Sequence, residues 1–290
     1  MSVDANDRPS DGKTWDVVIE PRKGVSLDLR SVWRYRDLAW MFFKRDFIAI
    51  YKQTILGPLW YVIQPLSTAA IYLVVFGRIA NIPTGGLPPF VFYMSGIVLW
   101  TFFAACLTNN AEIFSRNAAL FGKVYFPRLV VPIAVVLSAF VAFGIQFVLL
   151  LIVAVGYWIL YADLNIQWTG LLGMPLLLLY VGSLGMGIGL VVSALTVRFR
   201  DLVFAIGFVS QLWMFASPVV YPYSQVPERI RSVLDFNPMI APIESLRALM
   251  FGVGGVDLSV WAANLTVTLV VVAAGLVLFT RAEARAMDTV

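Results

Sequence analysis

The sequence of 290 residues contains no histidine and only one cysteine, Cys106. Without histidine, zinc sites, haem sites and acid–base catalysis lose their commonest side chain. One cysteine cannot form an intrachain disulfide. Charged residues make up 13% of the chain, against about a quarter in soluble domains, whereas 60% of the positions are hydrophobic. These absences argue against a soluble enzyme and predict a protein whose solvent is the lipid bilayer.

Long apolar runs divide the chain. A helix needs about 20 mostly apolar residues to cross the hydrocarbon core of a bilayer. Runs of this kind cover residues 59–77, 90–107, 129–161, 171–195, 202–221 and 258–280. We therefore predict an all-α membrane protein with six transmembrane helices in a domain of residues 58–281. The third run is long for one crossing, so we expect it to tilt or to continue outside the core.

The lysines and arginines predict the orientation. Seventeen of the 21 lie before the first run, after the second, after the fourth or after the last, and four lie in the other connections. Positively charged flanks stay in the cytoplasm. Both termini are therefore predicted to be cytoplasmic, with residues 1–30 and 282–290 as tails.

Residues 31–57 place aromatic and basic side chains on different faces of a helix, which is typical of a helix lying in the headgroup layer. The apolar face is formed by Trp33, Trp40, Phe43, Phe47 and Ile50. The basic face is formed by Arg34, Lys44, Arg45 and Lys52. The pattern predicts an interfacial amphipathic helix.

Residues 223–257 are neither a span nor a simple loop. Short apolar groups alternate there with charged residues and prolines, which suits two short re-entrant or interfacial helices on the external side better than a crossing. Asp235 and Glu244 are predicted to stand singly, without the paired carboxylates or histidine that acid–base or metal-assisted catalysis needs. Catalysis within the membrane is therefore not expected.

None of the six runs contains Asp, Glu, Lys, Arg or His. Ion-coupled carriers place such residues in their spans as relays, so energy for any transport should come from another protein. The remaining interior glutamines more often join helices than bind ligands. They are Gln64, Gln146 and Gln211.

Two sets of uncharged residues in the runs have alternative interpretations. Interior aromatic rings can line a passage in which they stack against sugars, although lipid contact or helix packing is the commoner role. A run of glycines favours close packing of helices over a ligand site. The aromatic residues are Trp100, Phe102, Phe103, Trp213 and Phe215, and the glycines are Gly182, Gly185, Gly187 and Gly189.

The connection at residues 109–128 has enough apolar groups for one short amphipathic helix. Phe121, Tyr125 and Phe126 are a large apolar load for a cytoplasmic turn. Either a partner protein covers this connection or it packs on the protein's own spans, and the residues alone leave both alternatives open.

Several segments carry a family resemblance. The entry to the first run is RDFIAIYKQTILGPLWYVIQPL, and further motifs are GKVYFPR, VRFRDL and SPVVYP followed by Asn237-Pro238. In this order they resemble the first-span entry, the end of the coupling helix, the fourth-to-fifth cytoplasmic loop and the external gate of membrane subunits of polysaccharide-exporting ABC transporters. These are the O-antigen, capsule and teichoic-acid permeases. The N-terminal WDVVIEP and VWRYRDL look most like the permeases of lipopolysaccharide O-antigen export.

The resemblance implies half of a type-2 ABC exporter. Two copies of the chain would form a channel, and two copies of a separate ATPase, which uses ATP and Mg, would dock on the cytoplasmic side. The cargo would be a lipid-linked glycan, typically on undecaprenyl diphosphate, moved from the cytoplasm to the periplasm across the bacterial inner membrane. No catalytic residue, metal or cofactor is expected in this chain, nor is nucleic acid expected as a partner.

The same resemblance implies three groups of site residues. A coupling helix at about residues 110–124 would dock on the ATPase through Glu112, Arg116, Phe121 and Lys123. The diphosphate would meet Arg45, Lys52, Arg198 and Arg200, because cations at headgroup level attract phosphate. Orientation of the chain or binding of anionic lipid is the alternative role of each cation. The glycan would meet Tyr72, Trp100 and Trp213 at the dimer interface.

Other functions remain open at this point. An ATP-driven exporter of another lipid or of a drug would share the fold. An ion-driven flippase of lipid-linked sugars is the alternative from another class, and a lipid-modifying enzyme is a third, although the uncharged runs and the absent acid–base groups argue against both.

Overall fold

The computed structural model describes residues 33–52, 57–117, 126–161, 164–196, 198–199 and 201–287. Every regular element in these ranges is a helix, which confirms the all-α prediction. In chain order the helices are α1 Arg36–Lys52, α2 Trp60–Ile79, α3 Pro89–Ala111, α4 Ile113–Arg116, α5 Val130–Tyr161, α6 Met174–Thr196, α7 Leu202–Phe215, α8 Glu228–Leu234, α9 Ile240–Phe251 and α10 Leu258–Met287. All are α-helical except the last part of α2, Leu73–Ile79, which is a π-helix.

Five helices in the described ranges are long and apolar enough to cross a membrane, namely α2, α3, α5, α6 and the Leu258–Ala282 part of α10. Their positions agree with five of the six predicted spans. The longest, α5, has 32 residues and therefore measures about 48 Å, well beyond a hydrocarbon core of about 30 Å. Pro132 lies in its first turn. The N–H groups of a first turn have no acceptor within the helix, so the N–H that proline lacks costs no intrahelical hydrogen bond.

The fifth predicted span, residues 202–221, is shorter as a helix. Helix α7 has 14 residues and ends at Phe215, so it measures about 21 Å. Turns follow it, and Pro218 stands three residues beyond its end, where it keeps Ser217 out of helical geometry. The count of six spans is therefore not confirmed.

Helix α6 lies at the centre of the bundle between α3 and α10, and its glycines serve both neighbours. A Cβ atom at Gly189 would lie 2.5 Å from Asn110 Cβ in α3. One at Gly187 would lie 2.9 Å from Val272 Cα in α10. Since no side chain fits at either distance, these glycines allow the backbones to approach, as the packing interpretation predicted. Gly182 and Gly185 also face α3.

Helix α3 is enclosed by α2, α5, α6, α7 and α9, and its residues 91–100 are all buried. Buried polar side chains of α3 donate hydrogen bonds to backbone carbonyl groups of the same helix. Ser95 Oγ donates to Phe92 O at 2.8 Å, and Asn110 Nδ2 donates to Cys106 O at 2.6 Å. Such local bonds make a polar side chain tolerable inside an apolar bundle.

One of the three interior glutamines joins two helices. Gln146 Oε1 in α5 accepts a hydrogen bond of 2.6 Å from Thr101 Oγ1 in α3, which confirms the predicted role for this residue. Gln64 and Gln211 are exposed, so their role stays a prediction.

Helix α1 packs on the bundle through small and aromatic residues. Ala39 and Phe42 are buried with Phe126 and Phe279 in a cluster at one end of the molecule. Trp40, which was predicted to belong to the apolar face, is 62% exposed. The face that contacts protein therefore differs from the face with the largest aromatic side chains.

The bundle has two ends, which we name by their elements. The N-terminal end comprises α1, α4, the start of α5 and the ends of α6 and α10, which share the cluster around Phe279. The α9 end comprises the start of α3, the segment after α7 and helix α9, which pack together, and α8, whose Leu234 packs against the small cluster of Tyr223, Ile240 and Val260. The candidate site residues fall in these two ends and in the aromatic group between α2, α3 and α7.

Candidate functional site

The three aromatic residues predicted to meet the glycan lie close together. Trp100 and Trp213 make an edge-to-face contact with ring centroids 6.2 Å apart. The Tyr72 hydroxyl lies 3.7 Å from Sδ of Met214, the residue after Trp213. Tyr72 and Trp100 are buried within the single chain, so they can line a passage only if the packing of α2, α3 and α7 changes.

Asn237 holds one of these rings in place. Its Oδ1 accepts hydrogen bonds from Trp213 Nε1 at 3.0 Å and from Met239 N at 3.1 Å. Its Nδ2 donates to Ala216 O at 2.9 Å and to Ser217 Oγ at 3.0 Å. One amide therefore ties the end of α7 to the start of α9 and orients the indole.

Asn264 of α10 fixes the turn between α8 and α9. Its Nδ2 donates to Asp235 O at 2.5 Å, and its Oδ1 accepts from Ala241 N at 3.1 Å. Tyr180 of α6 adds a hydroxyl 2.9 Å from Pro238 O. The turn between the short helices α8 and α9 is thus attached to the long helices α6 and α10.

An ion pair is buried in α9. Arg247 Nη1 lies 3.1 Å from Glu244 Oε1, and the two side chains are 1% and 3% exposed. Glu244 therefore has a cationic partner, which lies one helical turn further along the chain and shares its face. Asp235 accepts a hydrogen bond from the Tyr223 hydroxyl. Neither of these partners is a carboxylate or a histidine.

The guanidinium of Arg247 is bonded on all sides. Nε donates to Ser95 Oγ at 3.2 Å, and Nη2 lies 3.3 Å from both Phe92 O and Val219 O. Its carbon lies 3.7 Å from the centre of the Phe92 ring. These partners belong to α3 and to the segment after α7, so one side chain connects three parts of the α9 end.

The electrostatics of the pair follow from its burial. Burial lowers the pKa of Arg247 to about 10, against the opposing charge of Glu244. The guanidinium therefore stays charged at neutral pH. Glu244 Oε1 accepts a further hydrogen bond of 3.2 Å from Tyr223 N.

A cavity of about 230 Å³ reaches the ion pair from the surface. Its lining includes Tyr223, Arg231, Glu244, Arg247 and Gly254. The Arg231 guanidinium lies over the Tyr223 ring, 4.4 Å from its centre, and burial raises the pKa of Tyr223 together with its hydrogen bond to Asp235. Water can therefore approach the pair along a wall of polar groups.

The docking residues predicted at the N-terminal end are partly described. Glu112 Oε2 lies 2.5 Å from Arg116 Nε, with the side chains 24% and 59% exposed. Arg116 Nη1 also donates to Asn109 Oδ1 at 3.1 Å. Phe121 and Lys123 lie outside the described residues, as do residues 118–124 of the predicted coupling helix.

Of the cations predicted to meet a diphosphate, Arg45 and Arg198 are described. Both are exposed at the N-terminal end, and each guanidinium lies over a phenylalanine ring, Phe42 at 4.9 Å and Phe199 at 5.4 Å from the ring centre. The side chain of Lys52 and all of Arg200 lie outside the described part of the chain. Within the described ranges no cluster of His, Cys, Asp or Glu could hold a metal ion.

Comparison with known proteins places these features in a family. The profile of the family described as ABC-2 type transporter matches residues 37–251, from α1 to the last residue of α9. The chain belongs to the ABC-2 type transporter family. The matched residues include the aromatic group and the buried ion pair. With its five long apolar helices, this ABC-2 protein is the multi-pass membrane component of a transporter.

Relatives of this ABC-2 chain carry export names. The O-antigen export system permease protein RfbA of Klebsiella pneumoniae is 29% identical over 215 residues, which cover 73% of this chain and 80% of that protein. RfbA of Myxococcus xanthus is 28% identical over 228 residues, covering 77% and 84%. The polysialic acid transport protein KpsM of Escherichia coli is 28% identical over 240 residues, covering 79% and 87%.

Arg247 was not among the predicted site residues of this ABC-2 chain. A signal for Arg247 existed, because Glu244 and Arg247 stand three residues apart in a mostly apolar helix, a spacing that brings side chains together. Asn237 was predicted only as part of the segment that resembles the external gate; its place before Pro238 indicates a turn but not the indole that it orients.

Proposed function

We propose that the chain is the permease subunit of an ATP-driven exporter of a lipid-linked polysaccharide, O-antigen or a similar glycan on undecaprenyl diphosphate. The observation that carries the proposal is the match to O-antigen export permeases over about three quarters of the chain. In the complex, two copies of this chain and two copies of a cytoplasmic ATPase move the glycan from the cytoplasm to the periplasm.

The charge distribution supports an external energy source. In the five long helices Asp, Glu, Lys and Arg occur only near the ends, as Arg78 in α2 and Arg281 in α10. Carriers driven by ions place such residues in mid-span as relays. ATP hydrolysis by a partner supplies the energy in this proposal, and the N-terminal end, which has most of the cations, faces the cytoplasm and that partner.

The docking surface that we propose for the ATPase comprises Glu112, Arg116, Phe121 and Lys123. Its described part supports this role, because the Glu112–Arg116 pair is exposed beside α4, whose Phe114 stacks on Phe279 at 5.0 Å. A rigid attachment to α10 lets force on the loop reach a long helix. Arg116→Ala is expected to lower ATP-dependent export, with Ser115→Ala, on the same exposed turn, as the matched control.

We propose that the diphosphate binds at Arg45, Lys52, Arg198 and Arg200. Support comes from the exposure of Arg45 and Arg198 at the N-terminal end, where guanidinium groups can pair with phosphate oxygens. Arg45→Ala should raise the glycolipid concentration needed for half-maximal export. Lys44→Ala is the control, because Lys44 is also exposed on α1 and tests whether any positive charge suffices.

We propose that Tyr72, Trp100 and Trp213 contact the glycan during passage. Aromatic faces stack on sugars without charge, and the three rings already lie within one group. Trp213→Leu should slow export more than Trp60→Leu, which changes an exposed tryptophan of α2. Equal effects would assign Trp213 to packing alone.

Reconstitution tests the whole proposal. The purified chain alone should hydrolyse no ATP, and addition of its cognate ATPase should give hydrolysis and movement of the lipid-linked glycan across proteoliposomes. Transport driven by a proton gradient without ATP would identify an ion-driven flippase instead. ATP-dependent transport of a lipid or drug but not of the glycan would keep the fold and overturn the substrate.

A further inference from the structure

The buried ion pair of α9 makes more hydrogen bonds than are needed to neutralise its two charges. Glu244 alone would neutralise Arg247, yet the guanidinium also reaches Ser95 and Phe92 O in α3 and Val219 O after α7. Glu244 in turn accepts from Tyr223 N. Through these bonds the pair fixes the position of α9 against two other parts of the α9 end.

Stability does not explain why a charged pair occupies this position. A buried ion pair seldom stabilises a protein more than apolar side chains of the same volume would, because removing two charges from water is costly. The other residues of α9 that are buried are mostly apolar, so an apolar pair would fit the surroundings. A buried pair is best understood where it specifies one arrangement among alternatives.

Two glycines make room for the pair. A Cβ at Gly96 would lie 3.0 Å from Arg247 Nη2 and 3.0 Å from Val219 Cα, and backbone cannot give way as a flexible side chain does. Gly254, at φ +86°, places its hydrogen where a Cβ would lie 2.4 Å from Glu244 Oε2. The α3 helix and the loop after α9 are therefore both shaped around these two side chains.

The cavity beside the pair makes separation feasible. Glu244 Oε2 receives no hydrogen bond from any described residue, and Glu244, Arg247 and Gly254 all line the cavity. When charges separate, water that enters such a space replaces the lost hydrogen bonds and reduces the cost of exposing each ion. The pair is thus held firmly in the closed arrangement, with solvent ready at one side.

We propose that Arg247 is a positioning residue that holds α9 against α3 and against the segment at Val219. In this proposal the Glu244–Arg247 pair is a latch that closes the external exit and must separate for cargo to leave. The role as an exit rests on the proposed function, whereas the latch itself rests on the contacts above. Opening moves α9 away from Phe92, Ser95 and Val219 and exposes the groups between them.

The test measures access to a thiol placed behind the latch. Val219→Cys in a Cys106→Ala background is the reporter, because Val219 is fully buried and joins the latch through its carbonyl oxygen, which the substitution leaves in place. The transporter is studied with its ATPase and without nucleotide in lipid nanodiscs. Labelling by a membrane-impermeant maleimide reports opening, and the unfolding temperature reports stability.

The decisive variant replaces both charges, Arg247→Met with Glu244→Leu. Because an apolar pair of this kind keeps or raises stability, we expect an unfolding temperature near that of the parent but labelling about tenfold faster, since local opening becomes cheaper. Unchanged labelling at unchanged stability would overturn the latch. Arg231→Met, at the other arginine of the cavity, is the matched control and should label at the parent rate.

A conservative variant keeps the test decisive if the double variant does not fold. Arg247→Lys preserves the charge opposite Glu244. An ammonium group lacks the planar, forked donors of a guanidinium, however, and cannot also reach Phe92 O, Ser95 and Val219 O. Faster labelling is expected, and labelling at the parent rate would overturn the proposal. Because labelling needs no cargo, a latch that behaves as expected in a transporter that exports no glycan would refute the proposed function alone.

Discussion

The two ends of the molecule each contain a glutamate and an arginine one helical turn apart, and the environments of the two pairs differ. At the N-terminal end, Glu112 and Arg116 are 24% and 59% exposed. At the α9 end, Glu244 and Arg247 are 3% and 1% exposed. An exposed pair contributes about 0–1 kcal/mol to stability, whereas losing one member of a buried pair costs about 3–5 kcal/mol. The same residue types therefore lie nearer the surface at one end and are enclosed by hydrogen-bonding groups at the other.

The largest effect is expected from removing one member of the buried pair. Arg247→Ala leaves Glu244 buried without its cationic partner, so the free energy of unfolding should fall by about 3–5 kcal/mol. Thermal unfolding followed by tryptophan fluorescence in detergent measures the loss. A change below about 1 kcal/mol would show that the two ends are equivalent after all.

A smaller loss is expected at the amide beside the latch. Asn237→Ala removes the acceptor of Trp213 Nε1 and of Met239 N, and a buried donor left without a partner costs about 1–3 kcal/mol. The same thermal assay applies. The tryptophan fluorescence anisotropy should also fall, because the ring of Trp213 becomes more mobile. Asn81→Ala is an unsuitable control because Asn81 has a positive φ; Gln64→Ala, at an exposed residue, should leave both signals unchanged.

Adding one methyl group tests the fit around Arg247. Gly96→Ala would bring a Cβ to 3.0 Å from both Arg247 Nη2 and Val219 Cα, and overpacking of this kind costs about 1–3 kcal/mol. Gly144→Ala is the matched control, because nothing lies within 4 Å of a Cβ there. Equal stability of the two variants would mean that the α9 end yields more readily than its contacts indicate.

The smallest effect on stability is expected at the exposed pair. Arg116→Ala should change the free energy of unfolding by less than about 1 kcal/mol, and added salt should remove even that difference. ATP-dependent export should fall nonetheless, if Arg116 docks the ATPase. A loss of stability as large as that of Arg247→Ala would contradict the contrast between the two ends.

The spans were predictable because the signal is local. A run of apolar residues of sufficient length has few alternatives to a membrane helix, and five of the six runs became such helices. The fifth run, residues 202–221, begins with α7 and is longer than that helix. Its apolar residues continue past Pro218, and hydropathy alone does not register that a proline disfavours helix at the residue before it. The role of the glycines of α6 was also predictable, since a run of small residues in a membrane helix favours close approach of a neighbouring helix.

The latch was not predictable, because its partners are distant in sequence. Arg247 bonds to Phe92 O, 155 residues away, and to Val219 O, 28 residues away. Side-chain spacing within α9 could suggest the pair with Glu244 but not the carbonyl groups around it. In α1, likewise, helical periodicity predicted an apolar face that includes the tryptophans. The residues that are buried against Phe126 are instead Ala39 and Phe42.

The enclosure of α3 has a consequence for biogenesis. During synthesis α3 leaves the ribosome after α2 but before α5, α6, α7 and α9, so the helix that ends up enclosed by protein is made before most of its neighbours. Ser95 and Asn110 donate to carbonyl groups of their own helix, which lets these side chains meet hydrocarbon in the interval. Arg247, made 152 residues after Ser95, then finds the Ser95 oxygen already in place, so the last helices assemble onto a finished template.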